Sequence, residues 1–362
     1  MLKINIDLKN KPIRHILVIR FRRVGDAVLS TVICSTLKRS FPSARIDYVL
    51  NENIAPLFEH HPDIDNLITF NDQELKSPRL YFPKVRKIMK EGRYDIIVDM
   101  RATIKTLIFT CFSLSTPYRI GRKKYYNFVH NMQTHRDAVR YPNKNDTEFS
   151  LELLMPLEKY FKIHYVKKFK LYLTDKEKSD YKAYMIEQGI DFNKPVLACG
   201  ATTRIKTKRW NLDYMSSILL KIMAEFKDMQ LIFNYTGDEK EDVTALYHLT
   251  GRHPNIKMNI EAKGLRDLMA LLSNVDLYFG NEGGARHIAQ ALDIPSFAIF
   301  PYDVPKTEWL PYPNENNCGL APSDLCNPLE LNLLTAEEQN NLITVDEVWK
   351  RLHPMLCRIL KS

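Results

Sequence analysis

The chain has 362 residues, with 45% hydrophobic and 26% charged residues and a formal net charge of +9. That length exceeds one ordinary domain and suits two, and the composition is that of a folded globular protein, which excludes disordered and fibrous classes. No run approaches the roughly 18 apolar residues of a spanning helix, and the N-terminus, MLKINIDLKNKPIRH, has no apolar core of a secretory signal.

Ile13 to Ile19, mostly apolar and β-branched, predicts a strand. The loop from Arg20 to Asp26 follows, and Ala27 to Arg39 has helical spacing, with Val28, Thr31, Val32 and Leu37 near one face. Beyond Pro42, Arg45 to Leu50 predicts a second strand. This order implies a parallel sheet with helices packed on its faces. Asp26 falls at the helix start, where the dipole favours a carboxylate and capping alone would explain it. Leu67 to Phe70 predicts a strand, Phe82 to Met89 part of a helix, and Tyr94 to Asp99 a buried strand with Arg101 just beyond it. Arg119, Arg122, Lys123 and Lys124, interleaved with Tyr125 and Tyr126, form a basic patch that suits a solvated face as well as an anion. Residues 127–150 are polar and irregular and read as a loop bordering a cleft. A helix from about Glu148 to Phe161 leads to a strand-like Lys168 to Leu173. Asp175 to Gln188 is a polar helix closed by Gly189.

A second domain starts near Pro195, with the boundary between 174 and 194. Val196 to Cys199 predicts a buried strand, followed by a loop from Gly200 to Trp210. Three threonines, four cations and an indole in that loop suit a phosphate-bearing ligand, and equally a flexible basic loop. An amphipathic helix spans Leu212 to Phe226. Gln230 to Tyr235 predicts a strand, with Gly237, Asp238 and Glu239 at its carboxyl end, and Leu265, Leu268, Met269 and Leu272 mark a helix. Val275 to Phe279 then predicts a strand that runs into Gly280-Asn281-Glu282-Gly283-Gly284 and a short helix stopped by Ile294-Pro295, and Ser296 to Phe300 predicts the next strand. That helix start has bare N–H groups and the positive end of the dipole, an anion site most often filled by phosphate, and His287 on its first turn reaches the same ligand. A plain turn and a structural histidine explain the same letters. Neither G-x-G-x-x-G nor G-x-x-x-x-G-K-[ST] occurs, so dinucleotide and P-loop chemistry are unsupported. Residues 301–335, rich in Pro, Asn and Tyr, read as irregular. Val345 to Leu360 predicts a helix with Val348, Leu352, Leu356 and Leu360 at four-residue spacing.

The six cysteines (Cys34, Cys111, Cys199, Cys318, Cys326 and Cys357) form no C-x-x-C pair and no metal-like spacing, and read as reduced thiols of a cytosolic protein. The positive charge suits phosphorylated small molecules or an anionic membrane surface, and no nucleic-acid module accompanies it.

Four stretches together resemble the family 9 glycosyltransferases, the lipopolysaccharide heptosyltransferase family. They are Ile16-Leu17-Val18-Ile19-Arg20 with Val24-Gly25-Asp26; Phe41-Pro42-Ser43-Ala44-Arg45-Ile46-Asp47; Gly200-Ala201-Thr202-Thr203 with Lys208-Arg209-Trp210; and Gly280 to Ala289. The resemblance covers most of the chain in order and spacing. It implies an α/β protein of GT-B fold, two doubly wound parallel-sheet, Rossmann-like domains facing a central cleft. An acceptor domain is expected over 1–174, a linker helix over 175–193, a nucleotide-sugar domain over 194–344, and a terminal helix, 345–362, crossing back to the first domain. The implied reaction is an inverting, metal-independent transfer, heptose from ADP-heptose onto a lipopolysaccharide core or related glycolipid, without a cofactor. The family's base matches Asp26, its phosphate-binding lysine Lys208, its threonine pair Thr202 and Thr203, and its glycine turn and histidine Gly283, Gly284 and His287. By position Glu239 matches an acidic residue that holds the nucleotide ribose. Arg22, Arg23, Arg101, Arg122 and Lys124 are the expected contacts to an anionic acceptor, at or near loops of the basic first domain. Localisation is expected in the cytoplasm, at the inner face of the cytoplasmic membrane. Two departures bear on donor choice: Glu282 stands where the family commonly has aspartate, and Gly283 where it has serine or threonine. One extra residue lies between Thr203 and Lys208. A nucleotide-sugar epimerase and a non-catalytic nucleotide-sugar-binding protein are the rival readings.

Overall fold

A computed structural model describes residues 12–360 apart from Arg22, Tyr126, residues 137–140 and Pro142. The chain divides into two compact units, Met1–Tyr172 and Leu173–Ser362.

The first unit is built on β1 (His15–Ile19), whose four apolar residues are all fully buried. A continuous apolar run of this kind belongs to a strand covered on both faces. The single helix expected after it is two, α1 (Val24–Leu29) and α2 (Thr31–Ser40). The break falls at Ser30, whose hydroxyl bonds Ala27 O at 2.8 Å and meets Tyr48 Oη at 2.6 Å, a local competition with the helical ladder. Then follow β2 (Arg45–Asn51), β3 (Asn66–Phe70), α3 (Asp72–Lys76), α4 (Pro78–Gly92), β4 (Ile96–Asp99), α5 (Ile104–Cys111), β5 (Tyr118–Arg122), β6 (Met132–Thr134) and α6 (Asp146–Leu151). The strands form one parallel sheet in the order β3-β2-β1-β4-β5-β6. The stretch 127–150, read as a loop, therefore supplies an edge strand and the start of α6, which a capping box of Asn145 and Glu148 initiates. The helix expected to run on to Phe161 continues only as a 3₁₀ segment, Glu152–Lys159, with Pro156 inside it. Proline lacks the N–H that an α-helix needs there. Lys168 to Leu173 has no regular structure. Val166 N just before it bonds Thr36 Oγ1 at 2.9 Å, so this stretch is tied to α2 and joins no sheet.

The second unit begins with α7 (Asp175–Glu187) and β7 (Val196–Gly200), then α8 (Leu212–Glu225), β8 (Gln230–Phe233), α9 (Lys240–Leu249), β9 (Ile256–Lys257), α10 (Leu265–Leu272), β10 (Leu277–Asn281), α11 (Gly284–Ala291) and β11 (Ser296–Ile299). It ends with α12 (Lys306–Trp309), β12 (Asn317–Leu320), α13 (Pro328–Leu331), α14 (Ala336–Asn341) and α15 (Val345–Ile359). Its parallel sheet has the order β12-β11-β10-β7-β8-β9. Residues 301–335 thus hold an edge strand and short helices, where irregular chain was expected. The helix expected as a linker belongs to this unit: Arg266 Nε of α10 donates to Glu177 Oε1 of α7 at 2.8 Å, and Tyr181 Oη to Glu261 O at 3.1 Å. The terminal helix, expected to cross to the first unit, buries Val348, Leu352, Met355 and Leu356 in the second unit's core, against α8. Its apolar stripe finds its cover there. All six cysteines are free, with Cys34 and Cys199 buried.

The two sheets wind alike. In each, the first strand is central, the next two lie on one side and the remaining three on the other. The order reverses between β1 and β4, and again between β7 and β10. Open α/β sheets bind ligands in the crevice at the carboxyl ends of such a pair.

Candidate functional site

In the second unit, β7 and β10 run side by side with Gly280 opposite Gly200. Gly280 has φ +153°, and a Cβ there would lie 2.3 Å from Gly200 O, so only glycine allows this approach. Asn281 then ties the loop after β7 at both ends. Its Nδ2 donates to Gly200 O (3.1 Å) and Ala201 O (2.9 Å), and its Oδ1 accepts from Trp210 N (2.8 Å). The Trp210 indole is buried and donates to Ile343 O at 2.7 Å, anchoring the far end of the loop.

Between these anchors lie the expected donor residues. Thr202 is buried, and its Oγ1 has no hydrogen-bond partner, an unmet polar group of the kind a ligand satisfies. Thr203 is turned to the loop itself, donating to Ile205 O at 2.7 Å. Lys208 closes the 3₁₀ turn Lys206–Lys208, and its Nζ lies 2.6 Å from Asp303 Oδ2, with both side chains about one-third exposed. Asp303 is a partner that the sequence reading did not single out.

Across the crevice, Gly283 precedes α11 in an extended conformation (φ 169°) and supplies no side-chain cap, which leaves the first-turn N–H groups of Gly284 and its successors open to an anion. A Cβ at Gly283 would meet nothing within 4 Å, so open space stands where the family carries a hydroxyl residue. His287 is buried and its Nε2 donates to Glu282 Oε1 at 3.0 Å. Burial alone would raise the Glu282 carboxyl, but the His287 hydrogen bond and the charges of His287, Arg286 and Lys208 outweigh it and hold it below the usual glutamate range. Arg286 is fully buried and missed by the sequence reading. It donates to Gln290 Oε1 (2.6 Å) and Trp309 O, its Nη2 lies 2.8 Å from His287 Nδ1, and its guanidinium lies 3.7 Å from Glu282. Glu282, Arg286 and His287 therefore form one charged cluster behind the helix start. Glu239 is buried too, but its Oε2 accepts from Thr236 N (2.8 Å) and Thr236 Oγ1 (2.7 Å), which makes it the cap of its own turn. A ribose contact would have to use its other oxygen.

In the first unit, Asp26 lies on the first turn of α1, buried to 7% exposure. The helix's N-cap is Arg23, without a side-chain bond, and Asp26 is held by an ion pair: Arg20 Nη2 lies 3.1 Å from its Oδ1. The same nitrogen is 3.4 Å from Asp146 Oδ2 at the start of α6, and Asp146 Oδ1 also receives Arg136 Nη1 at 3.1 Å. Arg20 and Asp146 sit 126 residues apart in sequence, so only the fold joins them. Asp99 ends β4 beside them, in register with Ile19. It is fully buried, and burial raises its carboxyl to about 6 against the pull of Ala102 N, Thr106, Arg101 N and Lys124. Its neighbour His130, 3.7 Å away, is lowered to about 4 by burial and by Arg119, so it is neutral near pH 7 and gives Asp99 no charge partner.

The expected acceptor contacts separate. Arg23 and Lys124 are exposed, Arg101 is half-buried beside Asp99, and Arg22 lies outside the described residues. Arg122 is turned inward, donating to Phe149 O and to Thr134 Oγ1 (3.3 Å), and burial lowers it to about 10. It ties β5 to β6 and α6 and is half-buried.

Two doubly wound units with crevices of this kind define the GT-B class of fold. The glycosyl transferase family 9 structure from Veillonella parvula DSM 2008 has the same fold, covering 96% of this chain and 98% of that one with a TM-score of 0.79 at 16% identity. So does the Escherichia coli ADP-heptose lps heptosyltransferase II, over 95% of this chain and 99% of that one, with a TM-score of 0.73 at 18% identity. Residues 83–328 match the model of glycosyltransferase family 9 (heptosyltransferase), and the chain belongs to that family. Lipopolysaccharide heptosyltransferase 3 of Escherichia coli is 22% identical over 287 residues, which span 76% of this chain and 80% of that protein.

Proposed function

We propose that this glycosyltransferase moves heptose, with inversion and without a metal ion, from an ADP-linked donor onto a lipopolysaccharide core or related glycolipid at the inner face of the cytoplasmic membrane. The observation that carries the donor half is the carboxyl edge of the β7–β10 pair, where Lys208 and the unpartnered Thr202 hydroxyl lie in the loop after β7 and the uncapped start of α11 follows β10. The likeness to the Escherichia coli ADP-heptose lps heptosyltransferase II supports the sugar and nucleotide.

The chemistry assigns the parts. The acceptor hydroxyl oxygen attacks the anomeric carbon, the bond from that carbon to the diphosphate oxygen breaks, and the nucleoside diphosphate leaves with the electron pair. Asp26 takes the hydroxyl proton, and Arg20 keeps its carboxylate oriented. Lys208 and the N–H groups of α11 receive the charge that develops on the leaving diphosphate, so the protein itself supplies the electrostatic stabilisation a metal would. Arg23, Arg101 and Lys124 suit an anionic acceptor.

The test is transfer itself. A panel of ADP-, UDP- and GDP-sugars is screened by thermal shift in EDTA, and the best donor is incubated with lipid A–core acceptors and followed by mass spectrometry. The reading expects an ADP-sugar to bind despite the chelator and an acceptor mass increased by one heptose. Isomerised donor without transfer would establish the epimerase, and binding without turnover the non-catalytic protein.

A further inference from the structure

Residues 159–174 hold five lysines, Lys159, Lys162, Lys167, Lys168 and Lys170, and no acidic side chain, and the proposed transfer uses none of them. A lysine run is ordinarily a solvated face, but here the backbone shapes it. His164 N donates to Ser40 Oγ (2.9 Å) and Val166 N to Thr36 Oγ1 (2.9 Å), which pins the stretch along α2. From Lys168 onward the side chains alternate, as in any extended chain: Phe169 and Leu171 are buried, while Lys168, Lys170 and Tyr172 line a cavity of about 490 Å³. The second half of α2 supplies Ser35, Lys38 and Arg39 to the same cavity. Its size is that of an ordinary small-molecule site.

Lys38 Nζ reaches Ala44 O (3.0 Å), just ahead of β2, and Asp65 Oδ2 (2.9 Å), just ahead of β3. The cavity therefore lies at the amino edge of the sheet, the opposite edge from Asp26. Charge selects the ligand. Lys38 is balanced by Asp65, and Arg39, Lys168 and Lys170 outnumber Asp63, the one carboxylate of the lining. Ser35 Oγ donates to Asp63 Oδ2 (2.6 Å), which occupies an oxygen that a bound cation would need. Cations from two separate segments on one space suit a multiply charged anion, phosphate above all, because ammonium and guanidinium groups bond several of its oxygens together. Pro42, Val166 and the Tyr172 ring wall the rest of the space and suit an organic body. The Tyr172 ring is held by an edge-on contact with buried His61, their centroids 5.0 Å apart.

We propose that the amino-edge cavity between α2 and residues 166–172 is a second anion site, which takes a soluble phosphate ester of small-molecule size. It goes beyond the transfer reading and does not depend on it, since no residue that lines it belongs to the expected donor or acceptor contacts.

Pyrophosphate is the probe. The full chain is saturated with ADP in EDTA, which occupies the donor crevice, and titrated with pyrophosphate by calorimetry at constant ionic strength. One further site is expected, displaced by glucose 6-phosphate and weakened about tenfold in Arg39→Gln and in Lys168→Gln, the scale of one charge-assisted hydrogen bond. Both residues are exposed, so melting temperatures should hold. Asp63→Asn removes the carboxylate of the lining and should tighten binding. Lys176→Gln, at an exposed side chain of α7, is the control for net charge and should bind like wild type. No site beyond the one ADP occupies, wild-type-like binding by both cation variants, or equal weakening by the control would overturn the cavity as a site. Displacement by phosphatidylglycerol vesicles and not by glucose 6-phosphate would overturn the soluble ligand. A chain that binds pyrophosphate in this way but never binds ADP would refute the donor reading alone.

Discussion

Replacing Lys208 with alanine tests whether the donor crevice binds a diphosphate or is only basic surface. The lysine pairs with Asp303, and both side chains are about one-third exposed (32% and 35%). Exposed ion pairs are worth about 0–1 kcal/mol, so the variant should lose little stability and its melting temperature should move by only a few degrees. A hydrogen bond from the ammonium to a charged diphosphate is worth about 1.5–3 kcal/mol, which is about 10- to 150-fold in Kd. Titration calorimetry with ADP in EDTA reads that ratio directly. Asp303→Asn is the control that breaks the same pair from the other side. It leaves the lysine in place and removes a competing carboxylate, so ADP affinity should be kept or increased. If Lys208→Ala binds ADP like wild type, or if both variants weaken it equally, the lysine does not touch the ligand and the loop acts only through its fold.

Asp26→Asn should reduce transfer by about 10²–10⁴-fold, the usual worth of a general base, with ADP affinity unchanged. Because Asp26 is paired with buried Arg20, this variant should also lose about 1–2 kcal/mol of stability; turnover near wild type in a folded variant would send the search for the base elsewhere. Asn281→Ala removes three buried hydrogen bonds and should cost about 2–4 kcal/mol by urea denaturation, with weaker ADP binding as the Thr202–Lys208 loop loosens; a cost under about 0.5 kcal/mol would contradict the clamp. Asp99 titrates near 6 when folded, above its ordinary 3.8, so the folded state holds the proton more tightly than the unfolded chain. Its stabilising contribution is present below about pH 4 and is lost as pH rises to about 6, up to about 3 kcal/mol. The difference between wild type and Asp99→Asn in urea midpoints at pH 4 and pH 7 should therefore favour the variant at pH 7, and an equal difference at both would refute the shift.

Most of the fold was readable from the residues. Buried parallel strands are continuous apolar runs, and Ile16 to Ile19, Val196 to Cys199 and Ser296 to Ile299 announce themselves because both sheet faces must be covered. Post-strand loops with Asp26, Lys208 and the Gly283–Gly284 turn were equally visible, since glycine and charge at a carboxyl edge carry a local meaning that does not depend on the rest of the chain. The short edge strands β6 and β12 were not, because an edge strand is half-covered and its letters, such as Asn317-Cys318-Gly319-Leu320, lack an apolar run. Nor could spacing reveal which side chains meet. Arg20 with Asp146, Lys208 with Asp303 and Asn281 with Trp210 are joined across 126, 95 and 71 residues, and the same distance effect turned Arg122 from a surface cation into an internal tie. Local chemistry fixes what each loop can offer to a ligand. Long-range packing alone decides which of those groups is already taken, because a partner's identity depends on strand order and not on neighbours in the chain.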